Sequence, residues 1–415
     1  MKKIIFSLFL FTTFNSSCIY SQNNLIEKLL FENYRQFEDV IKNIDTFEVQ
    51  IIYTQIDRDK NNLPTFTTHN YRVNPRYYFY PASTVKLPAA ILAMEKINNL
   101  NIPGLNKYTS LKVDSTRDRQ IAVVKDSTSE TGLPSIAHYV KKVFLVSDND
   151  AYNRLYEFMG QSALNENLHK KGFKEVKILH RFQGGLTSED NRITNPFTFY
   201  NNDNVIYNQK EQYNNKTYQL ELDGLSKGIG YLNSKDEIVY KPFDFSARNY
   251  ISLESLNEIL KTVIFPESIE PEKRFNLTED DYQFLYKYMS MLPRESKYPS
   301  YDSTYYDSYV KYYLFGNSKE PMPQSIRIFN KVGLAYGYLT DIAYIVDFDN
   351  KIEFRLSAVI HVNKNKIYND GIYEYDQIGL PFFANLGKVI YNYELIRGRE
   401  FLPDLSKFKI NYEQD

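Results

Sequence analysis

Tyr80-Pro81-Ala82-Ser83-Thr84-Val85-Lys86 is the stretch that decides how this chain is interpreted, and a mostly apolar run from Leu87 to Ile97 follows it. The apolar run predicts a buried helix. Residues three positions apart share one face of a helix, so Lys86 can reach the hydroxyl of Ser83. A serine hydroxyl is a poor nucleophile at neutral pH, and an amine kept neutral by its surroundings could accept its proton. Ser-x-x-Lys alone has little weight, because this spacing often arises by chance.

Two further motifs lie downstream in a fixed order, Ser147-Asp148-Asn149 and then Lys331-Val332-Gly333. The interval from Ser147 to Lys331 is much longer than the interval from Ser83 to Ser147. Each motif has an ordinary explanation: a turn or helix cap for the first, and a surface lysine at a strand end for the second. The ordered set of three is far more specific than any one member.

This set resembles the S-x-x-K, S-D-N and K-T-G motifs of the serine β-lactamases and penicillin-binding proteins. The interval from Ser83 to Ser147 is similar to that of the class A β-lactamases, so the chain resembles the class A β-lactamase-like superfamily of SxxK serine hydrolases. The resemblance implies that Ser83 attacks a carbonyl and becomes acylated, with Lys86 as the base. It also implies that Ser147 relays a proton towards the leaving nitrogen and that Lys331 supplies positive charge beside it.

The same resemblance implies where the rest of a substrate would lie. The oxyanion would sit between the backbone N–H groups of Ser83 and Leu334. Asn149 would hydrogen-bond the acylamide group of a substrate, although a helix cap is the alternative for this residue. The implied substrate-binding residues are Asn149, Val332 and Gly333.

Two departures from the family pattern affect the substrate and its release. Val332 replaces the threonine of K-T-G, and Thr340-Asp341-Ile342 stands where many class A enzymes have an arginine, so carboxylate recognition is in doubt. The E-x-x-L-N loop, whose glutamate activates the deacylating water, corresponds to residues 180–186, which contain no carboxylate. Glu175 and Glu189 are the nearest acids. His180 could act as the base, but a structural role is the alternative. We therefore expect acylation to outpace deacylation.

The resemblance, together with the pattern of apolar residues, predicts an α/β (α+β) fold of the β-lactamase type. An antiparallel sheet from both termini is flanked by helices, and an all-α lobe is inserted between its two halves. The predicted α/β lobe comprises residues 23–80 and 325–400, the helical lobe 81–324 with an insertion near 200–320, and a tail 401–415. Strands are expected at 47–54, 71–79, 326–332, 338–346 and 352–360. A helix is expected from residue 24, and the chain after Ser83 is expected to be mainly helical through residue 158. Further helices are expected at 253–263, at 282–291 and from Pro381.

Pro88 conflicts with a helix that begins at Ser83, because proline inside a helix removes a backbone hydrogen bond and crowds the preceding turn. Either the helix is kinked just after the nucleophile, or it begins later than Ser83.

Residues 1–22 have the layout of a secretory signal peptide. Lys2 and Lys3 precede a short apolar run, and small polar residues follow it. Cleavage after Ser21 would release the chain, whereas acylation of Cys18 would anchor it to a membrane through a lipid. We therefore expect an exported protein, periplasmic or secreted, with lipid anchoring as the open alternative. Cys18 is the single cysteine, so the fold has no disulfide.

The composition narrows the partners. A formal net charge of −1 and the lack of a long basic stretch argue against nucleic acid. The chain has 37 Tyr and 28 Phe, which favours a folded globule. Five His and one Cys form no metal-binding motif, so we expect no metal and no cofactor. We expect a monomer that acts on a small molecule, either a β-lactam or a peptide-like compound.

Three functions remain open at this point. The first is a serine hydrolase that cleaves a β-lactam or a related amide or ester. The second is a penicillin-binding enzyme of the D-amino-acid peptidase type. The third is a non-hydrolytic protein that binds β-lactams or cell-wall fragments.

Overall fold

A five-stranded antiparallel sheet forms the centre of the computed structural model, which describes residues 24–202 and 204–413. Its strand order is β12-β13-β14-β1-β2, so two strands from the beginning of the chain lie beside three from its end. The predicted sheet built from both termini is therefore confirmed. The strands, in chain order, are β1 Gln50–Arg58, β2 Pro64–Tyr71, β3 Ser110–Val113, β4 Val176–Lys177, β5 Phe197–Asn201, β6 Asn204–Gln209, β7 Ser226–Lys227, β8 Gly230–Leu232, β9 Ile238–Val239, β10 Phe243–Asp244, β11 Tyr250–Ile251, β12 Ile326–Ala335, β13 Tyr338–Asp347, β14 Ile352–His361 and β15 Ile367–Tyr368.

Helices cover both faces of this sheet. Helices α1, α2 and α9 pack on one face, and α3, α7 and α8 pack on the other. Because both faces are covered, β13 and β14 are buried along their whole length. The α-helices are α1 Leu25–Glu32, α2 Tyr34–Lys42, α3 Lys86–Leu100, α4 Ile136–Leu145, α5 Asn149–Met159, α6 Gln161–Lys170, α7 Leu253–Ile264, α8 Glu279–Ser290 and α9 Leu380–Ile396.

The middle of the chain contains strands as well as helices. Its first half packs α3, α4, α5 and α6 together. Beside them, β3 pairs with β5 so that Val113 lies opposite Phe197, and several two- and three-stranded sheets follow. The predicted fold class is confirmed, but the inserted part is not all-α. Short apolar segments such as residues 111–113 are too brief to reveal from sequence whether they pair as strands.

Two predicted elements are wrong in position. The strand expected at 71–79 ends at Tyr71, because Arg72 has a left-handed backbone with a φ of 57° that breaks the pairing. The chain after Ser83 is expected to be mainly helical through residue 158, but helix α3 ends at Leu100, where Asn101 adopts a left-handed cap with a φ of 49°. Strand β3 then precedes the next helix, α4. The predicted helices near 253–263 and 282–291 and from Pro381, and the three C-terminal strands, are confirmed.

Pro88 lies in the first turn of α3. The α-helix begins at Lys86, and a 3-10 turn spanning Ala82–Val85 precedes it. A first-turn residue has no intrahelical partner for its N–H, so proline is tolerated there. The later helix start is therefore the correct resolution of the conflict, and the helix need not kink.

The predicted signal peptide and Cys18 lie outside the described residues. Among the helices of residues 24–202 and 204–413, none is long and apolar enough to cross a membrane.

Candidate active site

Ser83 lies on the 3-10 turn that leads into α3, at the edge of a cleft of about 530 Å³. Side chains three residues apart eclipse one another in a 3-10 helix, so Ser83 and Lys86 project to the same side. The turn is closed by the Thr84 hydroxyl, which donates to the carbonyl of Pro81 at 2.7 Å. Ala82 has a left-handed backbone with a φ of 45°, a conformation that L residues adopt at a cost. The chain thus holds Ser83 on a tight and strained turn.

Gly333 allows strand β12 to lie directly against this turn. A Cβ atom at Gly333 would stand 2.5 Å from the carbonyl oxygen of Pro81 and 3.2 Å from the backbone nitrogen of Ser83. Leu334 is the next residue, and it lines the same cleft with 41% of its surface exposed. The glycine of the third motif is therefore needed because two backbones meet there, and the predicted oxyanion-hole residues lie on these two neighbouring segments.

Lys86 is completely buried beneath the cleft. Its amine donates to Asn149 Oδ1 at 2.6 Å and to the carbonyl oxygen of Ser147, and it lies 3.4 Å from Ser147 Oγ. The ring of Phe182 lies 5.2 Å away. Among the described residues, no side chain hydrogen-bonds the Ser83 hydroxyl. Burial lowers the pKa of Lys86 to about 7, while Asp148 acts in the opposite direction. A large fraction of Lys86 is therefore uncharged at neutral pH.

Lys331 contacts the same serine of the second motif, Ser147, as Lys86 does. Its amine donates to Ser147 Oγ at 2.8 Å and to its neighbouring carbonyl, that of Val332, at 2.9 Å. Burial lowers the pKa of Lys331 well below its usual value, and the nearby Lys86 lowers it further. Ser147 has a left-handed backbone with a φ of 60°. The structure thus places one serine hydroxyl between two buried amines.

Two neighbouring residues of the second motif, Asp148 and Asn149, make different contacts. Asp148 caps helix α5 by accepting a hydrogen bond from the backbone N–H of Ala151 at 2.8 Å. Asn149 is the first residue of the helix, and its side chain contacts Lys86 instead. The helix-cap alternative for Asn149 is therefore wrong, since Asp148 makes the cap.

A match to a known family includes the first two motifs, while the third motif, which begins at Lys331, lies outside the matched residues. Residues 33–218 match the model of the Beta-lactamase enzyme family, Beta-lactamase2. Residues 33–218 of the chain are therefore β-lactamase-like. A search of curated proteins found no match. Among solved structures, a beta lactamase from Burkholderia vietnamiensis is 12% identical with a TM-score of 0.49, and the alignment covers 91% of this chain and 100% of that one. A class A beta-lactamase from Clostridium kluyveri is 14% identical with a TM-score of 0.46, covering 88% and 98%.

This β-lactamase-like site contains a second Ser-x-x-Lys that the sequence analysis missed, Ser308-Tyr309-Val310-Lys311. It lies on a 3-10 turn spanning Asp307–Val310, and Ser308 lines the same cleft as Ser83. Ser308 Oγ donates to the carbonyl of Ser318 at 2.5 Å. The amine of Lys311 donates to the carbonyl of Met289 and to Asn330 Oδ1, each at 2.7 Å. Burial lowers the pKa of Lys311 to about 7.

Asp341 links the residues that follow this second turn to strand β12. Its carboxylate accepts hydrogen bonds from Asn330 at 2.8 Å and from the backbone N–H of Tyr312 at 3.1 Å. Burial raises the pKa of Asp341 to about 6. Asp341 lies opposite Val332 in the β12–β13 ladder. In the sequence, Asp341 stands out only because it lies where many class A enzymes have an arginine, and no local pattern indicates that it is a buried acid.

The three side chains considered as a deacylating base lie outside the Ser83 cleft. His180 is buried against Tyr80, its Nδ1 lies 2.9 Å from the carbonyl of Arg181, and burial lowers its pKa to about 4. Glu189 is 62% exposed and lies 3.8 Å from Arg192. Glu175 lines a different surface cleft. Among the described residues that line the Ser83 cleft, Asp376 is the one carboxylate.

No metal site accompanies these residues in the part of the chain that the structure describes, because no three His, Cys, Asp or Glu side chains come together to hold an ion.

Proposed function

We propose that this β-lactamase-like chain is a serine hydrolase that is acylated on Ser83. The observation that carries the proposal is the convergence of Lys86, Ser147 and Lys331 beside a serine whose hydroxyl is not held by any described side chain. A nucleophile needs a neighbouring base and an unengaged hydroxyl, and Ser83 has both.

Lys86 is suited to accept the proton of Ser83. A neutral amine has two N–H groups and one lone pair, and its N–H groups are directed to the Ser147 carbonyl and to Asn149 Oδ1. The lone pair is left to accept the serine proton, with Ser147 Oγ 3.4 Å from the same nitrogen. As Ser83 Oγ bonds to the carbonyl carbon, the proton passes to Lys86 and the negative charge moves to the carbonyl oxygen. The backbone N–H groups of Ser83 and Leu334 would stabilise that oxygen.

Ser147 is suited to return the proton to the leaving group. Its hydroxyl lies 3.4 Å from the amine of Lys86 and 2.8 Å from that of Lys331. As the bond from the carbonyl carbon to the leaving atom breaks, Ser147 donates its proton to that atom and regains one from Lys86. The products of this step are the acyl-enzyme and a neutral leaving group, and Lys86 is again uncharged.

The proposed substrate is a β-lactam or a related amide or ester, met outside the cytoplasm. Lys2, Lys3 and the apolar run after them support export. N-terminal sequencing of the secreted protein tests export, and mass spectrometry tests for a lipid on Cys18. An intact Met1 on cytoplasmic protein would contradict export.

A long-lived acyl-enzyme is the second candidate, which would make the protein an acyl trap of the penicillin-binding kind. It is favoured because residues 180–186 contain no carboxylate and His180 lies outside the Ser83 cleft. General-base assistance is worth about a hundred- to ten-thousand-fold, so deacylation without it is slow. A burst of about one product equivalent followed by a slow phase is expected from stopped-flow kinetics with a chromogenic cephalosporin. Fast linear turnover would favour an efficient hydrolase instead.

The deciding experiment is covalent labelling with a fluorescent penicillin and, separately, with a fluorophosphonate, followed by intact mass and peptide mapping. Ser83→Ala should lose the label from both probes while its thermal unfolding stays nearly unchanged. Ser308→Ala is the matched control, because it removes the serine of the second Ser-x-x-Lys in the same cleft, and it should keep the label. A label that maps to another residue in Ser83→Ala would overturn the assignment.

A further inference from the structure

Tyrosine side chains line part of the Ser83 cleft, and we call this set the tyrosine wall. Tyr312 is positioned by the hydrogen bond from its backbone N–H to Asp341. Tyr375 accepts a hydrogen bond from the backbone N–H of Gly337 at 2.8 Å, which holds Tyr375 against the turn between β12 and β13. These contacts make the wall a fixed part of the site. Its aromatic members are Tyr306, Tyr309, Tyr312, Tyr373 and Tyr375.

The rings of this wall lie close to one another in pairs. The centroids of Tyr306 and Tyr309 are 5.8 Å apart, and those of Tyr373 and Tyr375 are 5.3 Å apart. The face of an aromatic ring carries partial negative charge, and several such rings around one space attract a cation, above all a quaternary ammonium group.

The charged groups around the cleft also favour a positively charged ligand. Asp376 lines it and makes no hydrogen bond or ion pair with any described residue. Burial and the nearby Asp376 carboxylate raise the pKa of Tyr306. No lysine or arginine is among the cleft-lining residues of the described chain. Lys319 is exposed and does not line the cleft, and its amine lies 5.3 Å from the centre of the Tyr306 ring.

The two lysines beneath the cleft do not reverse this preference. Burial lowers the pKa of Lys86 to about 7 and that of Lys331 well below its usual value. Lys331 also directs its amine to Ser147 and to the Val332 carbonyl. Both amines therefore carry less positive charge than an exposed lysine would, and neither lines the cleft.

We propose that the Ser83 cleft selects substrates that carry an ammonium group over those that carry a carboxylate, with Asp376 and the tyrosine wall as the recognition element. This inference rests on the proposed acylation of Ser83. It assigns to the cleft a class of amide or ester whose charge is opposite to that of the carboxylate-bearing β-lactams.

Three matched thioesters of phenylacetic acid test the proposal on the mature protein. Their leaving thiols are identical except at the far end, which carries a trimethylammonium group, a tert-butyl group of the same shape, or a carboxylate. Ser83 takes the acyl group, the carbon–sulfur bond breaks, and the released thiol is measured with a chromogenic thiol reagent. We expect kcat/KM to be about tenfold higher for the ammonium ester than for the tert-butyl ester, and about tenfold lower for the carboxylate ester.

Asp376→Asn isolates the carboxylate without disturbing the fold, because Asp376 is exposed and makes no hydrogen bond with a described residue. In this variant the ratio of kcat/KM for the ammonium ester to kcat/KM for the tert-butyl ester should fall by at least about threefold. Asp349→Asn is the matched control, since Asp349 is an exposed acid in the turn that joins β13 to β14 and does not line the cleft. It should leave the ratio unchanged.

The outcomes separate this proposal from the one it rests on. Thiol release that persists in Ser83→Ala would overturn the proposed function itself. Release that depends on Ser83 but is equal for the three esters, or is fastest for the carboxylate, would overturn only the charge preference. A ratio that is unchanged by Asp376→Asn would remove Asp376 from the recognition element and overturn the proposal as stated.

Discussion

Two turns at the Ser83 cleft contain the same Ser-x-x-Lys pattern, yet the hydrogen bonds made by their serines and lysines differ. Ser83 and Ser308 each lie on a 3-10 turn that precedes a buried lysine by three residues, and burial lowers the pKa of both lysines to about 7. The Ser308 hydroxyl donates to the Ser318 carbonyl, whereas no described side chain binds the Ser83 hydroxyl. A lowered lysine pKa is therefore not a sign of catalysis on its own. The serine hydroxyl must also be free.

The partners of the two lysines differ in the same way. Lys86 contacts the residues of the second motif, Ser147 and Asn149. Lys311 contacts Asn330 and a helix carbonyl, and it lies near the carboxylate of Asp341. The first lysine therefore contacts Ser147, to which the proposed proton relay is assigned. The second lysine fastens the tyrosine wall to the sheet.

The largest expected difference is in acylation rate. Lys86→Met removes the proposed base and should slow acylation by a fluorescent penicillin by about a hundred- to ten-thousand-fold. Lys311→Met, the matched variant of the second turn, should slow it by less than about tenfold. Stopped-flow fluorescence measures both rates. Equal losses of acylation rate in the two variants would show that Lys86 and Lys311 do not differ in their contribution to acylation.

Gly333→Ala tests the packing that distinguishes the first turn. The added Cβ would stand 2.5 Å from the Pro81 carbonyl, so the turn must shift. A displacement of about 1 Å can cost about a hundredfold in rate, and we expect a loss of that order. Gly184→Ala is the control, because nothing lies within 4 Å of a Cβ at that position. An acylation rate in Gly333→Ala within about threefold of the unaltered protein would contradict the proposed close fit.

The pH dependence of acylation follows from Lys86. Below pH 7 its amine is increasingly protonated and cannot accept the Ser83 proton, so the rate should fall about tenfold per pH unit as the pH drops. Above about pH 7 the rate should level off. The pH at which the rate is half-maximal should stay the same in Lys311→Met, since Lys311 is not among the groups that shift the pKa of Lys86. A flat profile from pH 5 to 9 would contradict Lys86 as the base.

The smallest expected effect is on stability, and it belongs to the second turn. Lys311→Met leaves the Met289 carbonyl and Asn330 Oδ1 without their donor, which should lower the free energy of unfolding by about 1 to 3 kcal/mol. Ser308→Ala should cost about 1 kcal/mol through the lost bond to Ser318. Urea unfolding followed by circular dichroism measures both. An increase in stability in Lys311→Met would contradict the anchoring role of this lysine.

Local patterns in the sequence predicted the parts of the molecule that local patterns determine. The alternation at 326–332, 338–346 and 352–360 identified three central strands, and the three motifs led to residues that the structure brings together. Helical periodicity likewise located α7 and α9. These elements are long, and the packing of the fold does not override their patterns.

The wall of the cleft could not be predicted in the same way. Tyr312 precedes β12 and Tyr375 follows β15, so the two reach the cleft from distant segments of the chain. Each is held by a hydrogen bond to a distant backbone or side chain. A high tyrosine content is compatible with burial anywhere in a globule. Asp376 is an ordinary exposed acid in the sequence, and only the fold brings it to the cleft.

The pairing of β1 with β14 has a consequence for how the protein is made. Gln50 lies opposite Val359, close to the other end of the chain, so the β1–β2 hairpin is synthesised long before its neighbour in the sheet. At about 5 to 20 residues per second, the ribosome needs about 15 to 60 s to supply that strand. During this time one edge of β1 is unpaired, and an unpaired edge invites association with other chains. Strand β12, which carries Lys331, is also among the last parts to emerge. The Ser83 cleft, which Val332 and Leu334 of β12 help to line, therefore cannot form until most of the chain has been made.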